Sequence, residues 1–309
     1  MAMAEQVGNK RITVIGLGSM GFGMAKSLVD AGFHVTGYDV RPEVVARFVA
    51  EGGHGAESPA SAAAEATIIV VVVVNADQTA GALFGPQGLV AAAQPGSVII
   101  SCATMAPERA REFATEVHEA GLLYLDAPIS GGAQRAAQGE LTILASGSRA
   151  AFAAAQPALD ALAATLHDLG DEPGKGAAYK IVNQLLAGVH IAVACEAITF
   201  AKRLDLDLAK VYEVITGSAG NSWMFENRIP HVLEGDYSPR SAVEIFTKDL
   251  GIVADISRSE RFATPLAASA LQLFLMTASA GMGRDDDASV ARLYAQIAGL
   301  DLPTGKAEA

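Results

Sequence analysis

The first half of the chain alternates short β-branched runs with alanine-rich amphipathic stretches. Residues 11–16, 34–38, 67–74, 97–101 and 122–126 read as strands, and 22–31, 43–51 and 108–119 as helices between them. The run 71–74 shows no polar alternation, as expected of a parallel strand covered on both faces. Further strands are expected at 141–145 and 165–169, around a helix near 151–164. This order predicts an α/β, doubly wound Rossmann-type domain. After Asp171-Glu172-Pro173-Gly174 the pattern becomes helical: one long helix over 177–203, then 208–216, 241–259, 265–279 and 286–298. The expected domains are therefore 9–173, dinucleotide-binding, and 174–303, an all-α substrate and oligomerisation domain entered by the long helix. Residues 1–8 and 304–309 are expected to fray.

Composition narrows the classes. The 309 residues carry a net charge of −12, with 51% hydrophobic and 18% charged side chains, which excludes intrinsic disorder. The acid excess leaves no basic stripe for nucleic acid. Two cysteines, Cys102 and Cys195, build no disulfide framework and suit a reducing, cytoplasmic setting. The first ten residues hold no apolar run of signal-peptide length. Mean hydropathy is +0.30, yet the longest apolar stretch, 181–201, is interrupted by Asn183, Gln184, His190 and Glu196. It reads as the central helix of a large protein, not a membrane span. One domain face can hardly cover such a helix alone, so a homodimer or homotetramer is expected.

Gly16-Leu17-Gly18-Ser19-Met20-Gly21 is a GxGxxG turn that follows a strand and opens a helix, with Asp39 ending the second strand 18 residues beyond Gly21. Gly16 permits the tight turn, Gly18 lets backbone approach a pyrophosphate, and Gly21 lets helix pack on strand. Asp39 can accept both ribose hydroxyls of NAD and repels a 2′-phosphate by roughly 1–4 kcal/mol at about 4 Å. NAD is the expected cofactor, with NADP second because Arg41 lies two residues on.

Two further blocks carry chemistry. In Asp126-Ala127-Pro128-Ile129-Ser130-Gly131-Gly132, a hydroxyl beside two glycines offers backbone N–H groups to a carboxylate. In Gly174-Lys175-Gly176-Ala177-Ala178-Tyr179-Lys180, a lysine enters an otherwise apolar helix, and Asn183 and Gln184 follow it on the same face. Ala187 and Gly188 leave room for close approach further along. Oxidation of a secondary alcohol needs a base for the hydroxyl proton and a clamp for the carboxylate. A lysine base working near pH 8 needs a bias of roughly 3–4 kcal/mol against its ammonium, which burial and nearby positive charge can supply.

Together with GLGSMGFGMA, the SCATMAP turn and FTKDL at 246–250, these blocks resemble the β-hydroxyacid dehydrogenase family over essentially the whole chain. The stretches 219–228 and 241–255 are similar, more narrowly, to its members acting on four-carbon sugar acids. The resemblance implies NAD-dependent oxidation of a small hydroxy acid, with 3-hydroxyisobutyrate dehydrogenase or tartronate semialdehyde reductase-type activity as the alternative to a four-carbon sugar acid, and with Lys180 catalytic and Ser130, Gly131, Gly132, Asn183 and Gln184 binding substrate. Many relatives carry Asn where Gln184 stands. It also implies that Val74, Asn75, Thr104 and Lys248 join residues 16–21 and Asp39 around the cofactor, and that the active site lies between the domains. Imine-reducing relatives usually lack the lysine, and a non-catalytic nucleotide-binding protein would not need Ser130, Lys180 and Asn183. The six histidines show no metal-binding spacing, and Asp285-Asp286-Asp287 reads as a helix cap. Glu196 and Asp249 are expected to pair with cations, whereas Trp223 and Phe225 read equally well as packing or as a cover over substrate.

Overall fold

A computed structural model describes residues 10–305. The stretches expected to fray lie outside it, except Thr304 and Gly305, and Gly305 N–H donates to the Gly235 carbonyl at 3.3 Å. The chain divides into two compact units, the first ending at Lys180 and the second beginning at Ile181.

The first unit is built on strands β1 (Arg11–Ile15), β2 (His34–Tyr38), β3 (His54–Gly55), β4 (Ile68–Val71), β5 (Val98–Ser101) and β6 (Leu123–Asp126). All run parallel in the order β3-β2-β1-β4-β5-β6. The order reverses between β1 and β4, where doubly wound sheets place their ligands. Helices α1 (Gly21–Asp30), α2 (Pro42–Ala50), α3 (Pro59–Ala63), α4 (Ala76–Phe84) and α5 (Pro107–Glu119) connect them. The missing polar alternation now has its cause: Ile68 and Val70 enter one core and Ile69 and Val71 the other.

The strand expected over 67–74 is shorter than its β-branched run. Val72 N–H still bonds the Ile15 carbonyl at 2.8 Å, but the chain then leaves the sheet and Val74 is 45% exposed. Val74 N–H turns to the Gln78 side chain, and Asn75 caps α4 by accepting from Gln78 N–H at 2.8 Å. After β7 (Ile129–Ser130) and α6 (Gly132–Gln138) come β8 (Leu141–Ala145), α7 (Arg149–Leu162) and β9 (Ala163–Asp168). These late strands form their own sheet, β7-β8-β9, beside the six-stranded one in sequence order.

Helix α8 (Lys175–Arg203) runs from the first unit into the second. It is followed by α9 (Leu208–Thr216), α10 (Trp223–Glu234), α11 (Val243–Ser259), α12 (Pro265–Thr277) and α13 (Val290–Ala298). The second core gathers Ile191, Cys195 and Ile198 of α8 with Phe246 and Leu250 of α11 and Phe274 of α12. A Cβ on Gly188 would come within 2.9 Å of the Leu250 side chain, so the small residue there admits α11. Helix α10 was not foreseen, and its buried face explains why: Arg228 and His231 lie inside, paired with Asp287 and Asp286. Asp286 caps the short turn before α13 by accepting from Ala288 N–H, as the acidic triplet suggested.

Candidate active site

Where β1 ends, the glycine turn is dictated by contact. A Cβ on Gly21 would sit 1.9 Å from the Gly16 carbonyl oxygen, and one on Gly16 2.3 Å from that of Val72, so strand and helix meet only without side chains. Gly18 faces open space. No side chain caps α1 and its first turn holds no acid, which leaves its N–H groups open to an anion. Beside the turn lies a cavity of about 690 Å³, lined by Gly16, Gly18, Asp39, Arg41, Val74 and Gln78 among others.

Asp39 is fixed from two sides. It accepts from Leu17 N–H at 2.8 Å and from Arg41 N–H and Nε, both at 3.0 Å. Burial alone would raise its pKa, but these bonds outweigh it and hold the carboxyl below its ordinary value. The Leu17 amide is thereby committed to Asp39, and the Leu17 side chain is buried in the core with Met20 packed beside it. Ser19 is exposed in the turn. Thr104 lies half-buried three residues past β5. A cavity at the sheet's switch point, bare backbone at Gly18 and an anchored carboxylate at the end of β2 fit an adenine dinucleotide.

The second cluster assembles at the C-terminal end of β6. Buried Asp126 accepts from Gly174 N–H at 2.9 Å, Ala177 N–H at 2.8 Å and Ser146 Oγ at 3.3 Å. Gly176 N–H donates to Ser146 Oγ at 3.0 Å, and a Cβ on Gly176 would meet the Leu144 carbonyl oxygen at 2.4 Å. The start of α8 is thus seated directly on β6 and β8. Burial pushes the Asp126 carboxyl up to about 6 although these bonds pull the other way. One turn further, Lys180 is 8% exposed, and its Nζ donates to the Ile129 carbonyl at 2.8 Å. That carbonyl immediately precedes Ser130, and Gly131 and Gly132 follow with φ of +136° and +78°. Lys180 and the Ser130–Gly132 loop therefore lie next to each other, joined through the Ile129 carbonyl. Asp126 and Ser146, which hold the helix start, were not anticipated. An acid closing an apolar strand was the available signal for Asp126, and nothing marked Ser146.

Asn183, Gln184 and Lys248 belong to the second unit. Asn183 Nδ2 donates to Gln184 Oε1 at 3.0 Å, and Gln184 Nε2 donates to Asp249 Oδ2 at 2.5 Å. Lys248 Nζ stands 2.5 Å from Asp249 Oδ1, the cation partner expected for Asp249. Glu196 departs from expectation: it accepts from the Tyr294 hydroxyl at 2.8 Å, so its partner is neutral. Phe225 is buried and stacks on Tyr212, whereas Trp223 is half exposed at the start of α10.

The fold, the glycine turn and the carboxylate of β2 define a dinucleotide-dependent oxidoreductase. Residues 11–170 match the NAD binding domain of 6-phosphogluconate dehydrogenase, and residues 174–294 the NAD-binding domain of NADP-dependent 3-hydroxyisobutyrate dehydrogenase. The chain is 50% identical, over 97% of its length and 100% of the relative's, to the L-threonate dehydrogenase of Cupriavidus necator. It is 44% identical to that of Pectobacterium atrosepticum over 96% of each chain. A crystal structure from Salmonella typhimurium, reported as 3-hydroxyisobutyrate dehydrogenase, superposes with a TM-score of 0.88 at 46% identity, covering 92% of this chain and 100% of that one. The chain belongs to the β-hydroxyacid dehydrogenase family and is an NAD-dependent dehydrogenase acting on CH–OH groups.

Proposed function

We propose that the protein oxidises L-threonate at C2 to 2-oxotetronate, with Lys180 as general base and the Ser130–Gly132 loop as the clamp for the substrate carboxylate. The observation that carries this reading is the buried Lys180 amino group, delivered beside that loop by its bond to the Ile129 carbonyl. When bound, NAD supplies the hydride acceptor; Gly16–Gly21 and Asp39 hold its pyrophosphate and adenine ribose, with Val74, Asn75, Thr104 and Lys248 completing its surroundings. Lys180 takes the hydroxyl proton in oxidation and returns it in reduction. Asn183, one turn along α8, faces the substrate's hydroxyls, and Gln184 lines the substrate site from behind it. The relatives at 44–50% identity support the four-carbon substrate. A 3-hydroxyisobutyrate-type activity is the second reading, favoured by the name reported for the Salmonella typhimurium structure.

A panel of three- to six-carbon hydroxy acids, each assayed with NAD and with NADP, tests both. Highest kcat/KM on L-threonate with NAD supports the first reading; preference for 3-hydroxyisobutyrate replaces it with the second. We also propose a homodimer or homotetramer, because α8 leaves Tyr179, Val182, Leu186, Val193 and Phe200 half exposed or more, in a reducing, cytoplasmic setting that suits the free thiols of Cys102 and Cys195. A single 31.7 kDa species in light scattering would refute the assembly.

A further inference from the structure

Three polar side chains in the second unit form a chain with a fixed direction. Asp249 is 1% exposed and Gln184 7%. A carboxylate can only accept hydrogen bonds, so the Gln184 atom 2.5 Å from Asp249 Oδ2 must be the amide nitrogen. The reversed amide would set two oxygens against each other in a buried site. Gln184 Oε1 is then turned to Asn183, and at 3.0 Å it requires the Asn183 nitrogen in the same way. Amide orientation, normally ambiguous, is here inherited step by step from one buried charge. The other oxygen of that carboxylate forms an ion pair with Lys248 Nζ at 2.5 Å, so Gln184 is left the partner of Oδ2 alone.

We infer that Asp249 is a positioning residue that, through Gln184, commits Asn183 to present its carbonyl oxygen to the substrate, making this end of the site an acceptor for a hydroxyl on the carbon next to the reacting one. This rests on the proposed function, since it assumes a substrate seated against the Lys180 face of α8. Half-buried Asn183 lies three residues, just under one turn, beyond Lys180, a spacing suited to a neighbouring hydroxyl. A methyl or methylene at that position would leave the carbonyl oxygen without a donor, and sites built to bond a hydroxyl discriminate strongly against analogues lacking it. Gln184, where many relatives carry Asn, supplies the additional methylene that lets one side chain reach both Asp249 and Asn183.

The test compares kcat/KM for L-threonate with that for 2,4-dihydroxybutanoate, its 3-deoxy counterpart, in the wild type, in Asp249→Asn and in Gln184→Met. Taking the ratio on one enzyme cancels any change in cofactor binding that follows from freeing Lys248. The expected result is a wild-type preference for the trihydroxy acid that falls about tenfold in both variants, because Asn183 is then free to turn either way. The loss should appear chiefly in the KM for L-threonate. Gln184→Met leaves the Lys248–Asp249 pair intact and so covers the case of an unstable Asp249→Asn protein. A wild type that does not discriminate, or a soluble variant that keeps the wild-type ratio, overturns the inference while leaving the proposed function standing. A wild type inert on both acids sinks the proposed function instead.

Discussion

Asp126 carries a charge that the folded protein disfavours, and replacing it with asparagine measures by how much. The carboxyl is 2% exposed, and burial lifts its pKa from an ordinary 3.8 to about 6. For an acid with a raised folded pKa, the native state keeps its proton between pH 3.8 and 6 while the unfolded chain has lost it. Stability from this group is therefore greatest below the lower value, falls as pH rises through the upper one, and is flat above. The full span is roughly 3 kcal/mol at 1.36 kcal/mol per unit, of which about 2 kcal/mol falls between pH 4.5 and 7.5. The asparagine oxygen can still accept from Gly174, Ala177 and Ser146. Its amino group adds a packing cost or gain of its own, but that contribution does not vary with pH.

The informative quantity is therefore a difference of differences: unfolding free energy of Asp126→Asn minus wild type at pH 7.5, less the same difference at pH 4.5. All other titrating groups are common to the two proteins and cancel to the extent that they are uncoupled from Asp126. We expect about +2 kcal/mol from urea titrations. They should be followed by far-UV circular dichroism, because the single tryptophan, Trp223, lies in the other unit. A value near zero, or a negative one, would show that Asp126 enters the fold without a desolvation penalty, and that the start of α8 is held by charge and not merely by acceptor geometry. The Asn variant should also keep its turnover, since the seat beneath Lys180 survives.

The remaining predictions concern the reacting and cofactor groups. Lys180→Ala should lower kcat by about 10²–10⁴-fold with NADH affinity by fluorescence titration nearly unchanged; retained turnover would remove Lys180 from the chemistry. Arg41→Ala should sharpen the NAD preference several-fold or more: Arg41 now pairs with Asp39 at 3.0 Å and partly neutralises the carboxylate that repels a 2′-phosphate. A shift towards NADP in the kcat/KM ratio would contradict that assignment. Gly176→Ala should destabilise by about 1–3 kcal/mol in thermal unfolding, because its Cβ would press on the backbone oxygen of Leu144, which can yield only if β8 moves. An unchanged melting temperature would mean that the helix start is not seated as described.

How far the sequence could be read depended on whether the information was local. Strands β4 and β5 were legible because burial on both faces leaves nearly unbroken β-branched runs, whereas β3, two exposed residues, left no pattern to read; the glycine turn was legible because steric contact demands glycine at fixed spacing. Helices α3, α4 and α6 were missed; α3 and α6 are short, whereas α4 is as long as α2, and Ser58 and Asn75 mark two of the starts by capping Ser61 and Gln78 N–H groups. Lys180 and the Ser130 loop could be paired in advance only through the family resemblance, since the bond that ties Lys180 to the Ile129 carbonyl just before Ser130 spans 51 residues. The same limit hid α10 altogether. A pattern of apolar positions cannot announce a helix whose buried face carries Arg228 and His231, because those side chains count as polar until their partners are known. Those partners, Asp287 and Asp286, arrive 59 and 55 residues later. Gln184 and Asp249, 65 residues apart, follow the same rule: where burial is made affordable by a distant opposite group, neither residue alone reveals it, and the polar positions that interrupt a hydrophobic pattern become the places to look for such a partner.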